Sequence, residues 1–243
     1  MQCVILAGGL GTRLGPIAEG IPKALAVVAG RAFADWQLEW LEGEGVSRVV
    51  YCVGHLGDQI ESHVGDGRAW GVEVTYSREG ESLLGTAGAL RLAADAGLLD
   101  EDFFVLYGDS YLSVPMKDVE LRYRAADAPC LMTVFRNDGR WGTSNAIYRD
   151  GRVLEYRKGS TNPPAEMRWI DYGLSVLDRR VIEDNVPQGV VWDLATELSR
   201  EASRGRIAGY EAHQRFYEIG SPEGLTALEQ KLHSHARGGD GGR

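Results

Sequence analysis

The sequence predicts an α/β fold with a central sheet of mostly parallel strands. In the first half of the chain, short apolar runs alternate with segments of helical periodicity, an order typical of strands joined by right-handed helical crossovers. The apolar runs are nearly continuous, as expected for strands that helices cover on both faces. The second half carries hairpin patterns instead. We therefore expect a Rossmann-like three-layer sandwich with a small antiparallel β element in its second half.

Helices and strands alternate along the first half. The clearest helix spans "FADWQLEWLEGEG", where apolar residues recur at helical spacing from Phe33 to Leu41 before a glycine. Shorter helices are predicted over "GDQIESHVG" and "TAGALRLAADAGLL". The predicted strands are the apolar runs around these helices: "QCVILAG", "VSRVVYCVG", "VEVTYS" and "DFFVLYGDS".

The second half predicts further strands and two helices. Strands are expected over "APCLMTVFRN" and "WIDYGLSVLD", and one or two more within "RIAGYEAHQRFYEIG". The segment "SNAIYRDGRVLEYRKG" predicts a hairpin that turns at "DG". Helices are predicted over "VVWDLATELSREAS" and over "SPEGLTALEQKLHSHA", the latter with Ser221 as its N-cap. No repeat or linker divides the chain, so we expect one domain over residues 1–235 and a disordered tail over 236–243.

Composition excludes several classes of function. The 243 residues carry a formal net charge of −9, which argues against general affinity for nucleic acid or for an anionic membrane. The sequence has neither the long apolar run of a transmembrane helix nor the start of a signal peptide. The cysteines at positions 3, 52 and 130 are odd in number and far apart, which predicts buried free thiols and no disulfide or zinc site. We expect a cytoplasmic protein.

A glycine-rich stretch, "LAGGLGTRLG", runs from Leu6 to Gly15. Glycines let the backbone approach a ligand closely, and successive N–H groups can then cradle phosphate oxygens. The spacing is not that of a Walker phosphate loop, and the third glycine of a dinucleotide-binding fingerprint would fall on Leu14. The glycines alone therefore leave two interpretations open: a phosphate-binding loop, or a tight turn with Arg13 at the surface.

The continuation of this stretch carries a family resemblance. "LAGGLGTRL" followed by "PKAL" at 22–25 resembles the signature of sugar-1-phosphate nucleotidyltransferases, which include the mannose-1-phosphate and D-glycero-D-manno-heptose 1-phosphate guanylyltransferases. Further matching segments follow in the family's order: "LGTAGAL" at 84–90, "LYGDS" at 106–110, "LEYRKG" at 154–159, "DYGLSVL" at 171–177 and "YEIGSPEGL" at 217–225. The resemblance covers the chain from Met1 to about Leu232.

The resemblance implies an enzyme that transfers a nucleoside monophosphate from a nucleoside triphosphate to a sugar 1-phosphate and releases pyrophosphate. GTP is favoured because "LGTAG" is most similar to the guanylyl-transferring members. The alternative is a uridylyl- or cytidylyltransferase acting on a hexose or amino-sugar 1-phosphate. The attacking phosphate is already an anion, so the protein has to position two anions and neutralise their charge. Mg²⁺ or Mn²⁺ is therefore the expected cofactor.

The implied catalytic residues are Arg13, Lys23 and Asp109. By resemblance, Arg13 holds the departing β- and γ-phosphates, for which its planar fork is suited. Lys23 lies near the α-phosphate. Asp109 ends an apolar strand, where ligands bind in open α/β sheets, and matches the family's first metal ligand. The second metal ligand is usually an aspartate, and Glu218 occupies that position here.

Two glycine-rich loops carry the implied nucleotide site. Gly85 and Gly88 would allow close backbone contact with the base, and Thr86 would offer a hydrogen bond. The full implied set of nucleotide-binding residues is Leu6, Ala7, Gly8, Gly9, Gly11, Thr12, Arg13, Gly85, Thr86 and Gly88.

The implied sugar-phosphate site comprises Lys158, Asp171 and Gly173, and Asn145 in "RWGTSNAIY" is a further candidate for contact with the sugar. Lys158 would grip the sugar phosphate, although the neighbouring Arg157 competes for this role. Asp171 stands where the family more often has an asparagine. Trp141 is either an apolar wall of the sugar pocket or simple loop packing.

A different class of function is a regulatory subunit that binds nucleotide or nucleotide sugar without turnover. Loss of the arginine, the lysine or the metal-binding aspartate would mark such a protein, and this sequence retains all three. The expected partners are therefore the two substrates, with no nucleic acid and no membrane. A homodimer is possible in this family.

Overall fold

The computed structural model of the protein describes residues 1–9, 20–80 and 82–238, the last five of these by their backbone. The strands are β1 (Gln2–Leu6), β2 (Val27–Val28), β3 (Arg31–Ala32), β4 (Arg48–Val53), β5 (Glu73–Arg78), β6 (Asp102–Tyr107), β7 (Ser110–Tyr111), β8 (Cys130–Arg136), β9 (Ala146–Arg149), β10 (Arg152–Tyr156), β11 (Trp169–Asp178), β12 (Ile207–Ala212) and β13 (Tyr217–Glu218). The α-helices are α1 (Phe33–Gly43), α2 (Gly57–Val64), α3 (Gly85–Asp95), α4 (Met116–Arg124), α5 (Arg179–Asn185), α6 (Leu194–Ser203) and α7 (Pro222–Gly238).

One large sheet unites both halves of the chain. Within the described residues it has nine strands in the order β5-β4-β1-β6-β11-β8-β12-β10-β9. Strands β5, β4, β1 and β6 are parallel, and β8 and β12 run in the same direction on the far side of the antiparallel strand β11. The carboxyl ends of these six parallel strands therefore lie at one edge of the sheet. The expectation of a mostly parallel sheet is confirmed.

Helices cover both faces of the sheet, which confirms the three-layer architecture. Successive residues of β1 point to opposite faces: Cys3 and Ile5 belong to one core cluster and Val4 to the other. Helices α1, α2 and α4 contribute to the first cluster, and α3, α5 and α6 to the second. No helix in the described part of the chain is both long and apolar enough to span a membrane.

The antiparallel element of the second half is the β9–β10 hairpin. Its two turn residues, Asp150 and Gly151, have φ angles of 50° and 74°. Positive φ at both central residues defines a type I′ turn, which an Asp-Gly pair adopts readily. The predicted turn at "DG" is therefore confirmed.

Two helices escaped the sequence-based prediction. Helix α4 buries Met116, Val119 and Tyr123 at helical spacing, but five of its other six positions are charged and the sixth is an exposed leucine, so the apolar signal is weak. Helix α5 has seven residues and is capped by Asp178, whose side chain accepts a hydrogen bond from the backbone N–H of Arg180.

The last helix starts as predicted but ends later. The hydroxyl of Ser221 accepts a hydrogen bond from the backbone N–H of Gly224 at 3.1 Å, the geometry of an N-cap. Helix α7 then continues to Gly238, so the expected tail over 236–243 begins as helix. Residues 239–243 lie outside the described residues.

Candidate active site

A cavity of about 380 Å³ opens at the carboxyl edge of the sheet. Residues from both halves of the chain line it. Of the residues predicted to act at the site, ten line this cavity: Leu6, Ala7, Gly8, Gly9, Lys23, Gly85, Thr86, Asp109, Lys158 and Glu218. The predicted residues Gly11, Thr12 and Arg13 lie outside the described residues, so their roles stay predictions.

Asp109 follows β6 and is held from two sides. Gly108 precedes it, where a Cβ atom would lie only 2.9 Å from the carbonyl oxygen of Leu6, so a glycine is required to bring the chain past β1. The fully buried side chain of Gln37 donates hydrogen bonds to the carbonyls of Tyr107 and Ser110, at 3.1 and 2.8 Å. These bonds fix the backbone on both sides of Asp109.

A short two-stranded ladder brings Glu218 to the same place. Strand β13 pairs antiparallel with β7, so that Glu218 lies opposite Ser110, the residue after Asp109. The backbone N–H of Ile219 donates to the carbonyl of Asp109 at 2.9 Å. Two carboxylates that are more than one hundred residues apart in the sequence thus line one cavity.

Lys23 reaches Asp109 from a single 3₁₀ turn over Lys23–Leu25. Its Nζ lies 3.0 Å from Oδ2 of Asp109. The two side chains are only 16% and 22% exposed, so solvent screens this ion pair less than a pair at the open surface. The predicted catalytic lysine and the predicted metal-binding aspartate are in direct contact.

The carboxylates of Asp109 and Glu218 suit a hard divalent cation. Mg²⁺ is usually held by one or two carboxylates, with substrate phosphates and water as its remaining ligands. Among the described residues, no group of three or more His, Cys, Asp or Glu side chains forms a metal cage. The donor set therefore fits an ion that is bound together with a phosphorylated substrate.

Glu79 also lines the cavity, and the sequence-based prediction missed it. One carboxylate oxygen, Oε1, accepts a hydrogen bond from the backbone N–H of Leu84 at 2.6 Å. The other, Oε2, lies over bare backbone, 2.4 Å from where a Cβ atom on Gly8 would be and 2.9 Å from that position on Gly54. Burial raises the pKa of Glu79, and the hydrogen bond from Leu84 opposes this shift. Glu79 directly follows β5, so its place at the end of a parallel strand was the available signal.

The glycines of "LGTAG" prove to have packing roles as well. Gly85 has φ +71° and lines the cavity, and a Cβ atom there would lie 2.7 Å from the carbonyl oxygen of Trp192. Gly88 faces the carbonyl of Val190 at a similar distance, 2.8 Å, and is not among the residues that line the cavity. Its predicted contact with the base stays a prediction.

The side chain of Thr86 connects the nucleotide loop to α6. Its hydroxyl donates to Oδ1 of Asp193 at 3.0 Å and accepts from the backbone N–H of Leu194 at 2.7 Å. Burial acts to raise the pKa of Asp193, but hydrogen bonds from Ala195 and Thr86 and the charge of Lys158 lower it overall.

Lys158 pairs with the other carboxylate oxygen of Asp193. Its Nζ is 3.6 Å from Oδ2 of Asp193 and 5.7 Å from the ring centroid of Tyr107, a cavity-lining residue that the sequence-based prediction also missed. Arg157 instead pairs with Glu155 and does not line the cavity. The geometry therefore favours Lys158 over Arg157 for binding a phosphate in this cavity.

Asn145, Asp171 and Gly173 form a hydrogen-bonded group outside the cavity lining. The amide oxygen of Asn145 accepts from the backbone N–H of Asp171 at 2.8 Å, and Oδ1 of Asp171 accepts from the backbone N–H of Gly173 at 3.0 Å. Oδ2 of Asp171 accepts from the hydroxyl of Tyr156 at 3.1 Å. Burial raises the pKa of Asp171, and these hydrogen bonds and Lys158 oppose the shift. The structure gives these residues a structural role, and their contact with a sugar stays a prediction.

Comparison with known proteins identifies the family. The sequence model for nucleotidyl transferases matches residues 2–144, more than half of the chain. The chain belongs to the nucleotidyl transferase family. Two residues that line the cavity, Lys158 and Glu218, lie beyond the matched range, so both halves of this nucleotidyl transferase contribute to the cavity.

Relatives within the family differ in nucleotide and sugar. The chain is 39% identical over 223 residues to the N-acetylmuramate alpha-1-phosphate uridylyltransferase of Neisseria meningitidis serogroup B, an alignment that covers 91% of this chain and 94% of the relative. It is 25% identical over 235 residues to the D-glycero-alpha-D-manno-heptose 1-phosphate guanylyltransferase of Aneurinibacillus thermoaerophilus, covering 96% and 98% of the two chains. It spans only 54% of the UTP–glucose-1-phosphate uridylyltransferase of a Synechocystis species, to which it is 28% identical over 82% of its own length.

A solved structure agrees with the fold. The crystal structure of HddC from Yersinia pseudotuberculosis complexed with GMP-PN superposes with a TM-score of 0.77 and 26% sequence identity, covering 95% of this chain and 99% of that one. The Rossmann-like α/β architecture expected from the sequence is thus found in a relative of nearly the same length.

Proposed function

We propose that this protein transfers a nucleoside monophosphate, with GTP as its preferred donor, to a sugar 1-phosphate and releases pyrophosphate. One observation carries the proposal. Two carboxylates and two lysines (Asp109, Glu218, Lys23 and Lys158) converge on one cavity that the glycine-rich Leu6–Gly9 segment also lines. Such a cavity can accept two phosphorylated substrates only if their negative charge is neutralised. The two lysines, and a divalent cation held by the two carboxylates, would supply the positive charge.

The reaction is a single displacement at the α-phosphate. An oxygen of the sugar phosphate attacks the α-phosphorus, and the bond from the α-phosphorus to the oxygen that bridges to the β-phosphate breaks. Because the nucleophile is an anion, it needs no general base. Lys23 stabilises the charge that develops around the α-phosphate, and Lys158 holds the attacking phosphate in line.

Asp109 and Glu218 are the proposed holders of the divalent cation. When bound, Mg²⁺ or Mn²⁺ supplies charge neutralisation for the phosphates. Asp109 has a second task, since its Oδ2 orients the ammonium group of Lys23 at 3.0 Å. One carboxylate is thereby shared between the metal site and the catalytic lysine.

Glu79 supports GTP as the donor. A carboxylate only accepts hydrogen bonds, and the Watson–Crick edge of guanine offers it two neighbouring donors, N1–H and the N2 amino group. Uracil offers one N–H between two carbonyl oxygens, which a carboxylate repels. Oε1 of Glu79 is already fixed by the backbone of Leu84, so the carboxylate is oriented before the base binds.

UTP is the second candidate donor, because the relative that is 39% identical over nearly its whole length is a uridylyltransferase. Pyrophosphate release distinguishes the two. The purified protein is incubated with Mg²⁺, each of the four ribonucleoside triphosphates, and mannose, heptose, glucose, N-acetylated and acidic sugar 1-phosphates. The proposal predicts release with GTP and at least one of these sugars. Release with UTP alone would support the second candidate, and nucleotide binding without any release would support the regulatory class.

A further inference from the structure

Arg215, between β12 and β13, is held against two aromatic rings. Its guanidinium carbon lies 3.8 Å from the ring centroid of Trp141 and 4.9 Å from that of Tyr217. Contact with aromatic faces restricts the plane of a guanidinium and leaves the N–H groups at its edge available. Among the described residues, none forms a hydrogen bond or an ion pair with Arg215. The arginine is thus oriented by the rings, and no carboxylate in the described part of the protein forms an ion pair with it.

The loop that carries Trp141 is tightly built. The side chain of Asn137 is fully buried, and its Nδ2 donates to the carbonyl of Gly142 at 2.8 Å and to the hydroxyl of Ser144 at 3.1 Å. Its Oδ1 accepts from the backbone N–H of Trp141 at 2.8 Å. Trp141 itself is 41% exposed. A buried asparagine therefore fixes a large aromatic side chain at the surface, a costly arrangement for packing alone.

The sheet places this group beyond the phosphate site. Trp141 follows β8 and Arg215 follows β12, and both strands run in the direction of β6, so both residues lie at the cavity's edge of the sheet. Strands β5, β4 and β1, which precede Glu79 and the glycine-rich segment, lie on the other side of β6. Arg215 lies only three positions before the cavity residue Glu218, so their Cα atoms are at most about 11 Å apart. A substrate that extends from the nucleotide side past Asp109 continues toward Arg215.

We propose that Arg215, held by Trp141 and Tyr217, binds a second acidic group on the sugar 1-phosphate. This inference rests on the proposed function and narrows its acceptor to sugar 1-phosphates that carry a carboxylate or a further phosphate. A guanidinium binds either oxyanion through paired, charge-assisted hydrogen bonds. In a chain of net charge −9, an acidic sugar requires such a local positive group to be held.

Matched pairs of sugar phosphates test this site by equilibrium binding. The pairs are glucuronate 1-phosphate with glucose 1-phosphate, N-acetylmuramate 1-phosphate with N-acetylglucosamine 1-phosphate, and mannose 1,6-bisphosphate with mannose 1-phosphate. Titration calorimetry measures Kd for the whole chain and for Arg215→Met and Arg215→Lys. Arg140→Met is the matched control, because it removes the same charge from the loop of Trp141 at a side chain that is 69% exposed.

In at least one pair, the acidic member is expected to bind the unsubstituted protein about 10-fold or more tightly than its neutral partner, and Arg215→Met to lose this preference. Arg215→Lys is expected to retain part of it, and Arg140→Met all of it. Equal weakening of both members, the same loss in Arg140→Met, or no preference in any pair would overturn the inference. Pyrophosphate release, measured separately, tests the proposed function. An acidic preference without any turnover would sustain the Arg215 site and refute the catalytic proposal.

Discussion

Lys23 and Asp109 are 86 residues apart in the sequence and form an ion pair with Nζ and Oδ2 at 3.0 Å. The pair joins a residue proposed to act on the α-phosphate to one proposed to hold the metal. Gln37, which donates to the carbonyls on either side of Asp109, fixes the aspartate in turn. Cation, carboxylate and backbone are therefore organised before any substrate enters, as preorganised electrostatic catalysis requires.

Substitution of Lys23 is expected to reduce turnover more than substrate binding. In Lys23→Met, the developing charge at the α-phosphate loses a fixed cation, so kcat should fall by about 10²–10³. The KM for GTP should change by less than about 5-fold, because Lys23 acts mainly in the transition state. Steady-state pyrophosphate release measures both constants. Lys23→Arg, which keeps the charge, should retain more activity, and equal loss in the two variants would argue against a charge effect.

Glu79→Gln is expected to relax the choice of nucleotide. A glutamine keeps the acceptor for the backbone N–H of Leu84, so the loop should stay in place. It replaces the second acceptor with an amide donor, which clashes with the guanine edge and suits a carbonyl of uracil. The ratio of kcat/KM for GTP to that for UTP should fall by about 10-fold or more. An unchanged ratio would remove Glu79 from base recognition.

Lys158→Met and Arg157→Met form a matched pair on one segment. Lys158 lines the cavity beside Tyr107, whereas Arg157 is directed to Glu155. Lys158→Met should raise the KM for the sugar 1-phosphate by about 10-fold or more and leave the KM for GTP nearly unchanged. Arg157→Met should change neither by more than about 3-fold. The reverse result would transfer the phosphate-binding role to Arg157.

Asp171→Asn is expected to stabilise the protein in a pH-dependent way. Burial raises the pKa of Asp171 in the folded state above its unfolded value, so the ionised carboxylate destabilises the fold at neutral pH. An asparagine can still accept from Gly173 and can donate to the hydroxyl of Tyr156. Its Tm should exceed that of the unsubstituted protein at pH 7 by about 2–4 °C, a change of about 1 kcal/mol.

The sign of the pH dependence follows from the raised pKa. Ionised Asp171 lowers the free energy of unfolding, and this effect has its full size at pH values above the pKa of Asp171 in the folded protein. The effect is absent at pH values below the pKa of the residue in the unfolded chain, about 3.9. The Tm difference between the two proteins should therefore shrink as the pH falls through the folded pKa. Thermal melts over this range measure it, and a difference that grows on acidification would contradict a raised pKa.

Much of the fold was predictable because its signals are local. The apolar runs predicted all the long strands of the large sheet, and "DG" predicted the hairpin turn through the backbone freedom of Asp150 and Gly151. Helix α4 was missed because only three of its nine residues are buried. The order of strands across the sheet depends on pairings between distant segments, which periodicity does not encode.

The residues of the candidate site were also predictable only in part. The family resemblance pointed to Lys23, Asp109, Lys158 and Glu218, all of which line one cavity. It missed Glu79, which lies in no matched segment, and Tyr107, which lies within "LYGDS" but was given no role there. Both line the cavity because their strands end at the same edge of the sheet. Asn145, Asp171 and Gly173 were matched as sugar contacts, whereas the structure shows them hydrogen-bonded to one another. Distinguishing a ligand contact from such internal bonding requires the three-dimensional arrangement.

The central claim is tested most directly by pyrophosphate release from GTP as a function of Mg²⁺ concentration, with the unsubstituted protein and with Asp109→Asn. Loss of an outer-shell partner typically weakens metal affinity or activity by about 10–100-fold, so loss of a direct ligand should cost at least about 100-fold. We expect metal-dependent release from the unsubstituted protein with an acceptor sugar 1-phosphate present, abolition by chelation, and a loss of at least that size in Asp109→Asn. Full activity of Asp109→Asn at every Mg²⁺ concentration would contradict the account.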